Sequence, residues 1–283
     1  MKKEDKKNIK KKKHNTLIYF ILVIALLFLY SKYIEPYNLT IKEYKIENEY
    51  LPKSFDGIKI VHFSDVHLGS TVDIKYLDKI VNLINKQNPD IVVFTGDMLD
   101  KRRTLNDSEI ESVKNSLSKI KSNLGNYAVS GNHDIKQLDT YKKIMDTNFT
   151  ILDNEEKLIY YKENTPISLI GLSDSSETKI NYDVLEKENN YYRFVLCHEP
   201  DEYKKISTYS FNVMFSGHSH GGQVRLPFIG KIYTPIGAKT YYDDYYKLDN
   251  KEIFISNGIG TTRIDIRFNS APSINLYRLY AQN

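Results

Sequence analysis

From Ile58 onward the chain alternates short apolar runs with stretches whose apolar residues recur at helical spacing. "IKIVHFSDVHLG" is followed by "DIKYLDKIVNLINKQ", in which Ile74, Leu77, Ile80, Val81 and Ile84 share one helical face. "DIVVFTGDMLD" is followed by "SEIESVKNSLSKIKSN", where Ile110, Val113, Leu117 and Ile120 do the same, and "NYAVSGNHD" opens a third unit. Asp65 and Asp97 are 32 residues apart and Asp97 and Asn132 are 35 apart, close to the length of one strand-helix-strand repeat. The polar clusters that end the apolar runs therefore recur at equivalent strand ends. After Phe149 the pattern predicts more strand: "KLIYY", "ISLIGLSD", "RFVLCHEP", "FNVMFSGHSH", "EIFISNG" and "SINLYRLY", with one polar helix near Tyr182 to Glu188. The expected fold is a mixed α/β body with two sheets. Residues 35–54 are expected to form a tether with a possible first strand.

One apolar run is of another kind. "TLIYFILVIALLFLY" covers Thr16 to Tyr30 and extends to Tyr33, just long enough for a hydrocarbon core of ~30 Å. No small-residue cleavage pattern follows it; the flank is "SKYIEPYN", which favours an uncleaved anchor over a removed signal peptide or a buried helix. Charge orients it. Residues 1–34 carry nine Lys against two acidic residues, whereas the rest has 31 basic against 34 acidic residues, a net −3. Eight of those Lys precede Thr16, so the expectation is a single-pass membrane protein with a cytoplasmic tail at 1–15, an anchor at 16–34 and residues 55–283 as an extracellular folded domain. A mildly acidic body offers no groove for tracking nucleic-acid phosphates, and none is expected as a partner. The single cysteine, Cys197, allows neither an intrachain disulfide nor a Cys-x-x-Cys site; in the run "FVLC" it reads as a small buried apolar residue.

The candidate chemistry lies at the strand ends: Asp65 and His67 in "SDVHLG", Asp97 in "TGDMLD", Asn132, His133 and Asp134 in "SGNHD", His198 in "LCHEP", and His218 and His220 in "GHSHGG". Taken singly, a strand-end Asp is a turn or helix cap and a lone His a core residue. Together, five histidines with three acids and an Asn at repeating intervals read as a metal site, and imidazole with carboxylate but no thiolate suits Mn, Fe or Zn. In an extended strand, side chains at i and i+2 leave the same face about 6.6 Å apart, so the Asp-x-His and His-x-His pairs are expected to lean onto an ion from one strand face. His62, inside "IVHFS", reads as structural and His14 as part of the basic tail. "TYYDDYYKL", Thr240 to Leu248, reads as an exposed strand or loop.

With these motifs in order, the sequence resembles the calcineurin-like metallophosphoesterases, in particular their bacterial membrane-associated branch. The resemblance runs from about Leu51 to Tyr280, through "GD", "GNHD" and "GHSHGGQVRLP". It implies a two-sheet β-sandwich flanked by helices, here preceded by one transmembrane helix. It also implies two divalent ions, one held by Asp65, His67, Asp97 and His220, the other by Asp97, Asn132, His198 and His218, with Asp97 bridging. His133 would face the phosphate and act on the leaving oxygen, with Asp134 holding its ring. Where many members read Gly-Asp-x-x-Asp-Arg, this chain has "GDMLDKR", with Lys101 in the arginine position and Arg102 one place later. The implied activity is hydrolysis of a phosphodiester or lipid-borne phosphate of the cell envelope. The alternatives are a pyrophosphatase acting on a nucleotide-linked lipid precursor and a non-catalytic metal-binding receptor domain. Oligomeric state is not readable.

Overall fold

The computed structural model describes residues 3–186 and 190–282, with side chains from residue 12 onward. Helix α1 (Lys3–Tyr33) contains the apolar run, and the large side chains from Leu17 to Leu29 are exposed. The stretch Lys12–Tyr37 contains an 18-residue window of mean hydropathy 2.2 and is long and apolar enough to cross a membrane. The chain then docks directly on the body. The Arg267 amide donates to the carbonyl of Ser31 at 2.9 Å, and the Ser270 amide donates to the buried Glu35 carboxylate at 2.7 Å. Residues 40–48 form strand β1 (Thr40–Asn48).

The first sheet is assembled from β1, β2 (Lys59–Phe63), β3 (Ile91–Thr95), β4 (Asn126–Val129), β5 (Thr150–Ile151) and a C-terminal strand introduced below. Helices α2 (Ile74–Lys86) and α3 (Asp107–Leu117) follow β2 and β3 as the periodicity predicts. Asp73 caps the first by accepting from the Tyr76 amide, and Asn106 with Glu109 forms a reciprocal capping box on the second. Ile120 lies past the end of α3 but is buried all the same. The third unit continues as α4 (Asn132–Ile135) and α5 (Leu138–Met145).

The second sheet takes β6 (Glu155–Tyr161), β7 (Glu163–Gly171), β8 (Tyr192–Leu196), β9 (Val213–Ser216), β12 (Tyr245–Leu248) and β13 (Lys251–Ile255), in the order β12-β13-β9-β8-β7-β6. Between its strands lie α6 (Asp183–Glu186), α7 (Tyr203–Ile206) and a separate hairpin of β10 (Arg225–Leu226) and β11 (Gly230–Lys231). Lys187 and Glu188, the end of the expected polar helix, lie outside the described residues. The Tyr-rich stretch supplies β12, a partly exposed edge strand. Strand β14 (Ser273–Ala281) returns to the first sheet, ordered β1-β14-β2-β3-β4-β5, and runs antiparallel to β2.

Alternation within each strand divides the burial. In β3, Val92 and Phe94 pack against α2 and α3, whereas Ile91 and Val93 face the second sheet. The layer between the sheets is rich in aromatics, with Phe194, Phe215, Phe254 and Tyr277 fully buried. Cys197 is buried on the outer side of the second sheet. The strands β2 to β5 are parallel to one another, as are β7, β8, β9 and β13. Their carboxyl ends bring the polar clusters of both sheets to one rim.

His62 sits in the layer between the sheets, with Nε2 2.7 Å from Thr95 Oγ1, Nδ1 3.3 Å from the Tyr277 hydroxyl and the Phe215 ring beside it. Burial pushes its pKa down to about 3. Between about pH 6.5 and 3 the unfolded chain therefore binds a proton that the folded chain refuses. The contribution to stability is complete above pH 6.5 and is lost as pH falls through that window, by about 2 kcal/mol at pH 5. His62→Gln removes the titration. In urea unfolding its destabilisation relative to the parent should shrink by that amount between pH 7 and pH 5; a penalty independent of pH would contradict this account.

Candidate metal centre

The first sheet delivers Asp65, His67, Asp97 and Asn132, and the second delivers His198, His218 and His220. The backbone there departs from the expected strand geometry. β2 ends at Phe63, and Asp65, His67, Asp97, His218 and His220 all have φ between 45° and 64°. The Asp-x-His and His-x-His pairs thus reach the centre from left-handed loop residues, not from one face of a strand. Each such residue without glycine's freedom costs on the order of 1–2 kcal/mol. Cross-bonding offsets the cost: the Asp65 amide donates to Gly96 O, the His67 amide to Asp97 O and the His218 amide to the Asp65 carboxylate. Glycine is needed where loops touch. Gly96 has φ 92°, and a methyl group on Gly217 would lie 2.5 Å from Asp65 Oδ2.

The side chains meet in three buried groups, Asp65 with His67 and His220, Asp97 with His198 and His218, and His67 with Asp100 and His133; Asp97 faces the first two, and in the third His133 Nδ1 is already engaged by the Lys101 amide. Asp97 Oδ2 lies 3.5 Å from His67 Nε2 and 3.4 Å from His198 Nε2, so one carboxylate oxygen faces both of the first two groups. Its other oxygen accepts from the His133 amide at 2.8 Å. Asp65 Oδ1 is 3.4 Å from His220 Nε2.

The donor set fits cations. His198 uses Nδ1 toward Thr95 O and His218 uses Nε2 toward Ile236 O, each at 2.7 Å, so both rings commit their proton to a carbonyl. Their remaining nitrogens, His198 Nε2 and His218 Nδ1, then point lone pairs at each other across 3.0 Å. His67 and His220 likewise present Nε2 to Nε2 at 3.1 Å. Such pairs need a proton or a cation between them. Among the described residues Asn132 Oδ1 and His67 Nδ1, both buried, find no hydrogen-bond partner, and a carbonyl-type oxygen so placed is a ready ligand for a hard or borderline cation. The electrostatics agree. Burial pushes Asp65 up to about 6, while Asp97, although buried, is held well below the usual carboxylate range by His198 and His67. Burial opposes charge on His198, but the adjoining Asp97 carboxylate overrides it and raises the imidazole well above its ordinary value.

His133 lines the cleft over these groups, its ring edge-on to His67 at 4.5 Å. Its Nδ1 accepts from the Lys101 amide at 3.2 Å, which leaves the proton on Nε2. Asp134 does not hold this ring, contrary to the expectation. Its carboxylate accepts from the amides of Asp97, Leu99 and Gly131, fixing the loop that carries Asp97. Burial and the Asp97 charge push Asp134 up to about 8, against the bonds from the Leu99 and Gly131 amides.

Sequence reasoning missed two neighbours. Asp100 approaches His133 Nδ1 at 3.7 Å and binds the Arg102 guanidinium through both oxygens, so Arg102 is held by a carboxylate at the cleft wall. Arg267 is wholly buried and donates to the carbonyls of Asn257, Gly258, Gly260 and Ser270, clamping the loop that lies on Asp65. Asp100 stands in the "GDMLDKR" motif without a role assigned to it there, whereas Arg267 has no sequence signal. The cleft has a volume of about 420 Å³ and is walled further by Lys101, Tyr233, Ile236 and Arg263.

The family profile described as Calcineurin-like phosphoesterase matches residues 58–222. Among curated relatives, an uncharacterized metallophosphoesterase of Bacillus subtilis (strain 168), YkuE, is 33% identical over 259 residues, covering 90% of each chain. A transmembrane protein with metallophosphoesterase domain from Danio rerio is 27% identical over 271 residues, covering 90% of this chain and 60% of its own. The phosphodiesterase YaeI of Escherichia coli (strain K12) is 26% identical over 227 residues, covering 78% of this chain and 82% of its own.

Proposed function

Because this chain belongs to the calcineurin-like phosphoesterase family and is a metal-dependent phosphohydrolase, we propose that it cleaves a phosphodiester or lipid-borne phosphate at the outer face of the membrane its first helix crosses. The observation that carries the reading is Asp97 Oδ2, which faces both buried ligand groups at once. Asp65, His67, Asp97 and His220 would hold one ion, and Asp97, Asn132, His198 and His218 would hold the other. When bound, two divalent ions supply positive charge for phosphoryl oxygens and make water a competent nucleophile near neutral pH.

The remaining work falls to the chain. Lys101, Arg102 and Arg263 line the cleft and draw an anionic phosphate into it. Lys101 replaces a planar fork by a flexible point charge, whereas Arg102 is held in a fixed orientation by Asp100. The neutral His133 ring offers Nε2–H to the leaving oxygen, with Nδ1 secured by the Lys101 amide. Asp134 is a positioning residue for the Asp97 loop.

The excess of Lys before Thr16 supports an outward-facing body. The full chain in detergent, supplied with Mn, Fe or Zn, should hydrolyse bis-p-nitrophenyl phosphate or phosphatidate in preference to a nucleoside diphosphate ester. Cleavage confined to the pyrophosphate bond would overturn the substrate class. A C-terminal reporter active only outside the cytoplasm should be active, and a silent reporter in membrane-bound protein would overturn the location.

A further inference from the structure

The segment from Leu226 to Ile236 breaks the ordinary partition of apolar side chains. In the β10–β11 hairpin Phe228 is fully exposed at the tip, with Ile229 (72% exposed) beside it and Ile232 following. Ile236 (83%) and Ile264 (55%) extend the patch to the mouth of the metal cleft. Phe228 also has φ 65°, a conformation that a bulky residue adopts at a cost and that Asn or Gly adopts readily. A strained, fully solvated aromatic gains nothing from this fold, and an apolar cluster of this kind marks an interaction surface.

Its position identifies the partner. The hairpin base pairs with the segment after Arg267: the Arg225 amide donates to Phe268 O and the Phe268 amide to Gln223 O. The Arg267 amide in turn donates to Ser31 O in the last turns of α1. Tyr30 and Glu35 on one side and Arg225 and Pro227 on the other line a common cleft. One backbone segment thus separates the hairpin from the place where the apolar helix enters the body. The cations nearby suit a headgroup layer: Lys239 and Arg263 both lie over the Tyr233 ring, and Lys231 lies over Tyr242.

We propose that this hairpin, with Ile236 and Ile264, is a second membrane contact, seated in the headgroup and acyl boundary of the bilayer that α1 crosses, so that the metal cleft opens at the lipid surface. The inference rests on the proposed anchoring by α1. A smaller apolar cleft of about 190 Å³, lined by Val224, Ile232, Tyr233, Pro235 and Ile264, shares Tyr233 and His220 with the metal site. It gives the apolar part of a lipid-borne substrate a path from the hairpin to the ligands.

The test needs no catalysis. The chain has no tryptophan, so Phe228→Trp introduces a single indole fluorophore. The full chain carrying it is placed in phosphatidylcholine and phosphatidylglycerol vesicles, with or without brominated acyl chains. Its emission should shift to the blue and fall by roughly half in brominated vesicles, more for bromines near the headgroup than near the chain ends, as a side chain about 5–10 Å deep requires. Tyr160→Trp, on exposed edge strand β6, should stay unquenched, and Val23→Trp within α1 should be quenched. Quenching in the Val23→Trp chain but not in the Phe228→Trp chain overturns the contact while leaving the anchor; no quenching in either overturns both. A blue shift in the Phe228→Trp chain that follows protein density without bromine quenching assigns the patch to a second copy and also overturns it. Should Phe228→Trp fail to fold, Ile229→Trp reports from the neighbouring position with the same expected outcomes.

Discussion

Asp97→Asn should abolish hydrolysis, by on the order of 1,000-fold or more, and should do so by emptying the site. The substitution keeps the volume and the oxygen that accepts from the His133 amide. It removes the charge from the oxygen that faces His67 and His198. Altering a mere supporting partner of a metal ligand costs 10–100-fold in affinity, so losing a carboxylate shared by two ions should cost at least about 100-fold at each. With several kcal/mol of charge stabilisation lost at about 1.4 kcal/mol per factor of ten, the rate follows. Metal content by elemental analysis should fall with activity, while thermal unfolding of the metal-stripped variant stays within a few degrees of the stripped parent. Activity lost with both ions retained would remove Asp97 from the bridging role.

His133→Gln should separate from this cleanly. His133 lines the cleft, and its Nδ1 is already occupied by the Lys101 amide, so it is assigned no ion. Both metals should remain bound while turnover falls by roughly 100- to 1,000-fold, the usual worth of one positioned hydrogen-bond donor to developing negative charge. The loss should shrink for p-nitrophenyl esters, because a leaving oxygen already stable as an anion needs little help from Nε2–H. Metal loss equal to that of Asp97→Asn would make His133 a ligand. Retained metal with full activity on alkyl esters would move the stabilisation of the leaving oxygen to Lys101 or Arg102.

The sequence exposes the candidate ligands because the parallel strands of the two sheets place their carboxyl ends on one rim, and apolar runs ending in Asp, Asn or His mark those ends. Val92 and Phe94 against Ile91 and Val93 show why both faces of such a strand read as apolar, since each packs on a different layer. The left-handed backbone at Asp65, His67 and His220 is not legible, because no residue there is glycine and the conformation is imposed by bonds between loops distant in sequence. Adjacency points Asp134 at its neighbour His133, whereas folding turns its carboxylate toward three amides, two of them more than 30 residues away. Arg267 and the apolar hairpin likewise depend on what tertiary structure brings beside them.

The central claim is that two cations share this constellation through Asp97 and that hydrolysis depends on both. It is tested most directly by titrating Mn or Zn back into the chelated full chain while counting bound metal and following phosphodiester hydrolysis. Activity should be absent without metal and should return as occupancy passes from one to two ions per chain. Full activity in metal-free protein, or saturation at one ion, would contradict it.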